Sequence, residues 1–269
     1  MEKKLSYQDN NLHYNEFGSG QPVILVHGFA EDARIWSEQI KSLQKKYRLL
    51  VPDIPGSGAS PYNDKLASIE DLAETIKFIL DKEQIKETVL IGHSMGGYIA
   101  LAFAEKYPQN LLGLGLFHST AYPDTEEKKL ARKKSIDFIR DHGAPEFIKS
   151  TMPNLFSANF NANQAARVSE LISQYSSLSG ESLIAYYKAM IMRPDRRSVL
   201  VKLRRPILFI IGEEDKAVPV QDSLEQTHIP ELAFIHFLRN AAHMGMIEYP
   251  ELTSDWLAGF ISACYKPSF

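Results

Sequence analysis

The run Thr88-Val89-Leu90-Ile91-Gly92-His93-Ser94-Met95-Gly96-Gly97 passes from apolar and β-branched residues straight into a helical pattern that continues to Tyr107. It reads as a strand, a sharp turn with serine at its apex, and a helix, and its central G-x-S-x-G therefore has the context of a nucleophile elbow. Such a turn forces the serine into a strained backbone conformation, and side chains at the flanking positions would strike the neighbouring strand and helix, so glycine is needed there. The same turn would lift Ser94 Oγ above a sheet, beside the free N–H groups and partial positive charge of a helix start. Locally, a helix-capping serine in a glycine-rich turn fits the pattern too.

Moving outward, short apolar runs at 22–26, 49–51, 112–117, 207–211 and 233–237 read as strands, several of them apolar on both faces like buried parallel strands. A hairpin is expected at the start, from 4–7 and 12–15 around the turn signal Asp9-Asn10-Asn11. Helical patterns at 32–45, 68–82, 94–107, 220–227 and 249–264 alternate with these runs. The alternation predicts an α/β fold with a mostly parallel eight-stranded sheet flanked by helices. It breaks once, between Phe117 and Pro206, where only helical periodicity remains, at 124–142, 145–150, 163–176 and 181–192. The expected organisation is a core of 1–118 and 196–269 carrying an inserted helical cap, or lid, at 119–195.

A serine hydroxyl is a weak nucleophile at neutral pH and needs a base with a partner to orient it. The run 207–211 leads into Gly212-Glu213-Glu214-Asp215, and 233–237 leads into Asn240-Ala241-Ala242-His243. An acid and a histidine thus follow two strands, at the carboxyl edge of the sheet where Ser94 also lies. Asp215 and His243 are the candidate partners, although Glu213 and Glu214 are adjacent carboxylates. Oxyanion donors are expected from the backbone N–H groups of Met95, just after the elbow, and Phe29, in the loop His27-Gly28-Phe29-Ala30. His27 and His93 read as structural hydrogen-bonding residues.

His27-Gly28-Phe29, Asp53-Ile54-Pro55-Gly56-Ser57-Gly58, Gly92 to Gly97, Gly212 to Pro219 and His243-Met244-Gly245 come in an order that resembles the α/β-hydrolase superfamily across nearly the whole chain outside the cap. Within it the sequence is similar to small bacterial serine esterases and enol-lactone hydrolases with a four-helix lid. The resemblance implies a Ser94, Asp215, His243 triad, a structural Asp53 loop, and cleavage of small carboxylic esters or lactones through an acyl-enzyme. Serine at the elbow sets the chain apart from dehalogenases and epoxide hydrolases, which use aspartate there. Carbon–carbon bond hydrolases, perhydrolases and ligand-binding receptors of the same fold share the serine and stay as alternatives. The expected pocket lies between core loops and lid, with Phe29, His118, Tyr122, Met152, Phe156, Met190 and Val218 as lining candidates.

Composition narrows the partners. The chain of 269 residues has 30 basic and 33 acidic side chains, a net charge of −3 with no dense Lys/Arg stripe, which argues against nucleic acid or an electrostatically bound membrane. Cys264 is the only cysteine, so no intrachain disulfide or cysteine-based metal cluster is possible. The opening residues lack the apolar stretch of a signal peptide and no run is long enough for a membrane span, so a cytoplasmic location is expected. The metal-binding H-E-x-x-H, the Walker-type phosphate loop and G-x-G-x-x-G are all missing, and neither metal nor cofactor is expected.

Overall fold

The computed structural model describes residues 1–66 and 68–266. Its strands are β1 (Glu2–Tyr7), β2 (Asn10–Phe17), β3 (Gln21–Val26), β4 (Tyr47–Pro52), β5 (Thr88–His93), β6 (Leu111–Phe117), β7 (Ile207–Gly212) and β8 (Ala233–Leu238). The helices are α1 (Ser37–Leu43), α2 (Ile69–Lys82), α3 (Met95–Lys106), α4 (Glu126–Thr151), α5 (Ala158–Asn163), α6 (Ala165–Tyr175), α7 (Gly180–Met192), α8 (Arg197–Lys202), α9 (Val220–Glu225), α10 (Gly245–Glu248) and α11 (Pro250–Cys264).

One sheet holds all eight strands in the order β1-β2-β4-β3-β5-β6-β7-β8. The β1–β2 and β2–β4 pairs are antiparallel and the remainder are parallel. From β3 the chain runs first to β4 on one side, then to β5 on the other. That reversal opens a crevice at the carboxyl ends of β3 and β5, the place where open α/β sheets put their ligands. The apolar runs explain the depth of this centre, since Val23 to Val26, Val89 to Ile91 and Ile207 to Ile210 are buried on both faces.

The loop after β3 and the turn after β5 face each other across the crevice. Val26 is in register with Gly92. A Cβ on Gly92 would run into the Gly96 carbonyl, and one on Gly96 would run into the carbonyls of Val26 and His27. The two glycines therefore let α3 close against the strands, as the sequence required.

Several boundaries differ from expectation. The hairpin turns at Gln8 and Asp9, both with positive φ (48° and 63°), so Asn10 already opens β2. This pair of left-handed residues suits the twist of a two-residue hairpin. The expected helix 32–45 divides into a 3-10 turn at Ala33–Trp36, capped by the Asp32 side chain, and the shorter α1. Elements 124–142 and 145–150 form α4, broken at Gly143 (φ 84°) just before Pro145. Helices α5 and α8 were not anticipated, because six residues are too few to show a helical period.

The two ends of the helical segment between β6 and β7 are tied together. Arg193 Nη1 lies 2.8 Å from Asp124 Oδ1, and the Arg196 N–H donates to the Ala121 carbonyl at 2.9 Å. Arg196 also pairs with Glu105 on α3 at 3.1 Å. Among the described residues no helix is long and apolar enough to cross a membrane.

Gly96→Ala is expected to cost roughly 3 kcal/mol of stability, because the new methyl meets backbone rather than a movable side chain. Urea unfolding followed by circular dichroism measures it, and an unchanged midpoint would contradict this packing.

Candidate active site

Ser94 sits between β5 and α3 with φ 51° and ψ −115°, a conformation that non-glycine residues avoid. Two contacts hold it there. The Ser94 N–H donates to the Phe117 carbonyl at 2.9 Å, and Ser119 Oγ donates to the Ser94 carbonyl at 2.8 Å. Its side chain is half-buried and lines a cavity of about 320 Å3 that also contains His243.

His243 follows β8 and Asp215 follows β7, adjacent parallel strands. His243 Nδ1 and Asp215 Oδ2 are 2.8 Å apart. The other carboxylate oxygen accepts from the N–H groups of Ala217 at 2.8 Å and Val218 at 2.9 Å. Burial works against ionisation of Asp215, but the facing His243 and these hydrogen bonds hold its carboxyl below the usual range. An ionised Asp215 fixes the proton of His243 on Nδ1 and leaves Nε2 as an acceptor. The neighbouring acids sit elsewhere, with Glu213 bound to the Asn240 N–H and Glu214 to the Ala158 N–H.

Phe29 lines the same cavity, its ring 4.3 Å from that of Tyr187. Neither the Phe29 N–H nor the Met95 N–H donates to another group among the described residues. His27 spans the loop below, its Nδ1 donating to the Gly28 carbonyl at 2.9 Å and its Nε2 accepting from the Ile54 N–H at 3.1 Å. Asp53 accepts from the N–H groups of Ala33 and Ala59, both at 2.9 Å.

Behind these groups lies a second histidine–carboxylate pair, fully buried. His93 Nδ1 is 3.0 Å from Glu31 Oε2, which also accepts from the Gly28 N–H at 2.8 Å. His93 Nε2 donates to the His243 carbonyl at 2.9 Å. Burial disfavours charge on both partners, yet each outweighs it for the other, so Glu31 is held below and His93 above its ordinary value. The pair ties the Gly28 loop, the residue before Ser94 and the main chain of His243 into one unit. Glu31 was not foreseen, since an acid in a loop ordinarily reads as solvated.

Residues 21–250 match the family model described as alpha/beta hydrolase fold. The chain belongs to this family. This α/β hydrolase is 28% identical over 261 residues to the uncharacterized hydrolase YugF of Bacillus subtilis, covering 93% of this chain and 92% of that protein. It is 25% identical over 256 residues to a pimeloyl-[acyl-carrier protein] methyl ester esterase of Legionella pneumophila, covering 93% of this chain and 99% of that protein. An esterase from Thermogutta terrifontis superposes with a TM-score of 0.92 at 27% identity, covering 99% of this chain and 100% of that one.

The pocket of this α/β hydrolase departs from expectation in part. Phe29, Met152 and Met190 line the cavity. His118, Tyr122, Phe156 and Val218 do not. His118 is buried beneath it, its Nε2 accepting from the Gly245 N–H at 3.3 Å and its Nδ1 lying 3.5 Å from Asp215 Oδ2, and burial keeps it well below the usual imidazole value. The Tyr122 ring is covered by the Arg197 guanidinium at 4.6 Å, Phe156 stacks on Phe160 at 5.0 Å, and Val218 is turned inward with its N–H on Asp215. In their place come Tyr98, Lys128, Arg132, Phe147 and Tyr187. A larger groove of 530 Å3, between β2, the Gly56–Tyr62 loop and the start of α7, holds none of Ser94, Asp215 and His243.

The Glu31–His93 pair gives stability a defined pH window. The lowered carboxyl contributes fully above about 4.5 and loses its share as pH falls through its folded value, whereas the raised imidazole contributes fully below about 6.5 and loses its share as pH rises through its own. The stability gap between the wild type and Glu31→Gln, from urea midpoints at stepped pH, is thus expected to be widest between these values. A gap independent of pH would contradict an ion pair.

Proposed function

We propose that the protein is a serine hydrolase of small carboxylic esters or lactones, with Ser94 as nucleophile, His243 as general base and Asp215 as its orienting acid. The observation that carries this reading is the 2.8 Å His243–Asp215 contact, with Ser94 and His243 lining one cavity. Proton position supports it: with Nδ1 protonated toward Asp215, Nε2 is free to take the Ser94 hydroxyl proton as Oγ attacks the carbonyl. The unengaged N–H groups of Phe29 and Met95 would receive the developing oxyanion, where fixed donors act more strongly than water.

His243 then returns the proton to the departing alcohol, leaving an acyl-enzyme on Ser94. Water deprotonated by His243 releases the acid by the same steps in reverse order of roles. Asp215 stays ionised throughout and stabilises the imidazolium. The inserted segment 119–195 supplies the cover of the site: Met152 and Met190 contribute, with Phe29, an apolar wall for the substrate, and the cavity size is at the lower end for small-molecule sites. Esterase activity in similar proteins, one acting on a methyl ester, agrees with carbonyl chemistry of this kind.

The test is hydrolysis of 4-nitrophenyl esters from acetate to palmitate. Ser94→Ala and His243→Ala should each lower turnover about a millionfold, to background, and Asp215→Asn about ten-thousandfold. Losses of only a few-fold in folded Ser94→Ala would overturn the assignment.

A further inference from the structure

Helix α4 is crowded with charge, and its orientation decides which sign meets the cavity. Lys128, Ala131, Arg132 and Ser135 are the α4 residues of this stretch that line it, a single face at helical spacing with two bases and no acid. Glu126 and Glu127 do not line it. Lys216, exposed on the loop after β7, adds a third base to the lining.

The charges around this wall do not cancel. Arg132 and Arg193 share a single carboxylate, the buried Asp124: Arg132 Nε donates to it at 2.7 Å and Arg193 Nη1 lies 2.8 Å away. Two guanidiniums against one carboxylate leave one positive charge in place. Arg132 uses Nε and Nη2 on Asp124, while its Nη1 makes no hydrogen bond among the described residues. Lys128 Nζ donates to the Ala217 carbonyl at 2.6 Å, a partner that leaves its charge unneutralised. The one carboxylate of the lining, Glu31, is committed to His93. Tyr98 responds to the same field: burial would raise its phenol, yet Arg193, Lys128 and Arg132 hold it below its ordinary value.

A cation-lined, partly enclosed cavity beside an apolar wall focuses positive potential on whatever enters it. Resting on the esterase reading above, we propose that the substrate carries a carboxylate in addition to the scissile ester, with Arg132 Nη1 and Lys128 Nζ receiving that carboxylate while the carbonyl lies at Ser94. A guanidinium N–H still free beside an ammonium suits a carboxylate better than any neutral group, since charge-assisted hydrogen bonds are roughly twice as strong as neutral ones.

Three substrates separate the possibilities: mono-(4-nitrophenyl) glutarate with the acid on the acyl side, 3-carboxy-4-nitrophenyl butyrate with it on the alcohol side, and neutral 4-nitrophenyl butyrate. One acid ester should exceed the neutral one in kcat/KM by about tenfold or more, as expected for a hydrogen bond to a charged group. The preference should shrink with added salt and fall toward unity in Lys128→Met and Arg132→Met through a raised KM. Because Arg132 also anchors Asp124, Lys128→Met is the cleaner variant. Equal or better use of the neutral ester by the wild type, or an acid preference that survives both substitutions, overturns the proposal and leaves the Ser94 chemistry standing. In parallel, calorimetry with glutarate and Ser94→Ala protein reads the anion site without turnover. Binding weakened by Lys128→Met supports it even if no ester is cleaved, a result that would instead overturn the hydrolase reading, and no binding by the folded protein counts against the site.

Discussion

A left-handed backbone at Ser94, φ 51°, is the constraint on which the site depends. A non-glycine residue in such a conformation costs on the order of 1–3 kcal/mol and persists only where its surroundings over-determine it. Here they do. The glycines at 92 and 96 admit the neighbouring backbone, β6 takes the Ser94 N–H through the Phe117 carbonyl, and Ser119 takes its carbonyl. The result is a hydroxyl at the sheet's carboxyl edge, next to the unfilled N–H at the start of α3, directly across the β3–β5 crevice from Phe29.

Two histidine–carboxylate pairs are built around that turn with different consequences. His243 lines the cavity, and its buried carboxylate partner Asp215 fixes which ring nitrogen is left to accept a proton. Glu31, at the cavity wall, and His93 behind it are both buried, both ring nitrogens of His93 are taken, and the pair serves to lock the Gly28 loop to the His243 main chain. Burying charge is costly unless it is paired and hydrogen-bonded, and this pair meets both conditions. His118, beneath Asp215, is held well below the ordinary imidazole value by burial, whereas His93 is held above it by Glu31.

Much of this was legible in the chain. Buried parallel strands announce themselves as apolar runs, and Gly92, Ser94 and Gly96 between a strand and a helix fit a sharp elbow, so the sheet, the turn at Ser94 and the loops bearing Asp215 and His243 followed from local pattern. The pocket wall did not. Which face α4 turns inward depends on its packing against α7 and on the Asp124–Arg193 tie at the ends of the helical segment between β6 and β7, and neither has a local signature. His118 and Val218 lie at the right strand ends but their directions are set by positive φ at one and by the hydrogen bond to Asp215 at the other. Periodicity places a residue on an element; only tertiary contacts decide what it faces.

The central claim is that Ser94 is the nucleophile. Its most direct measurement is intact-protein and peptide mass spectrometry after treatment with a fluorophosphonate, which forms a stable covalent adduct with an activated serine hydroxyl. The account predicts a single adduct on Ser94, formed quickly in the wild type and far more slowly in His243→Ala. An adduct on another residue, or none in a protein that still turns over esters, would contradict it.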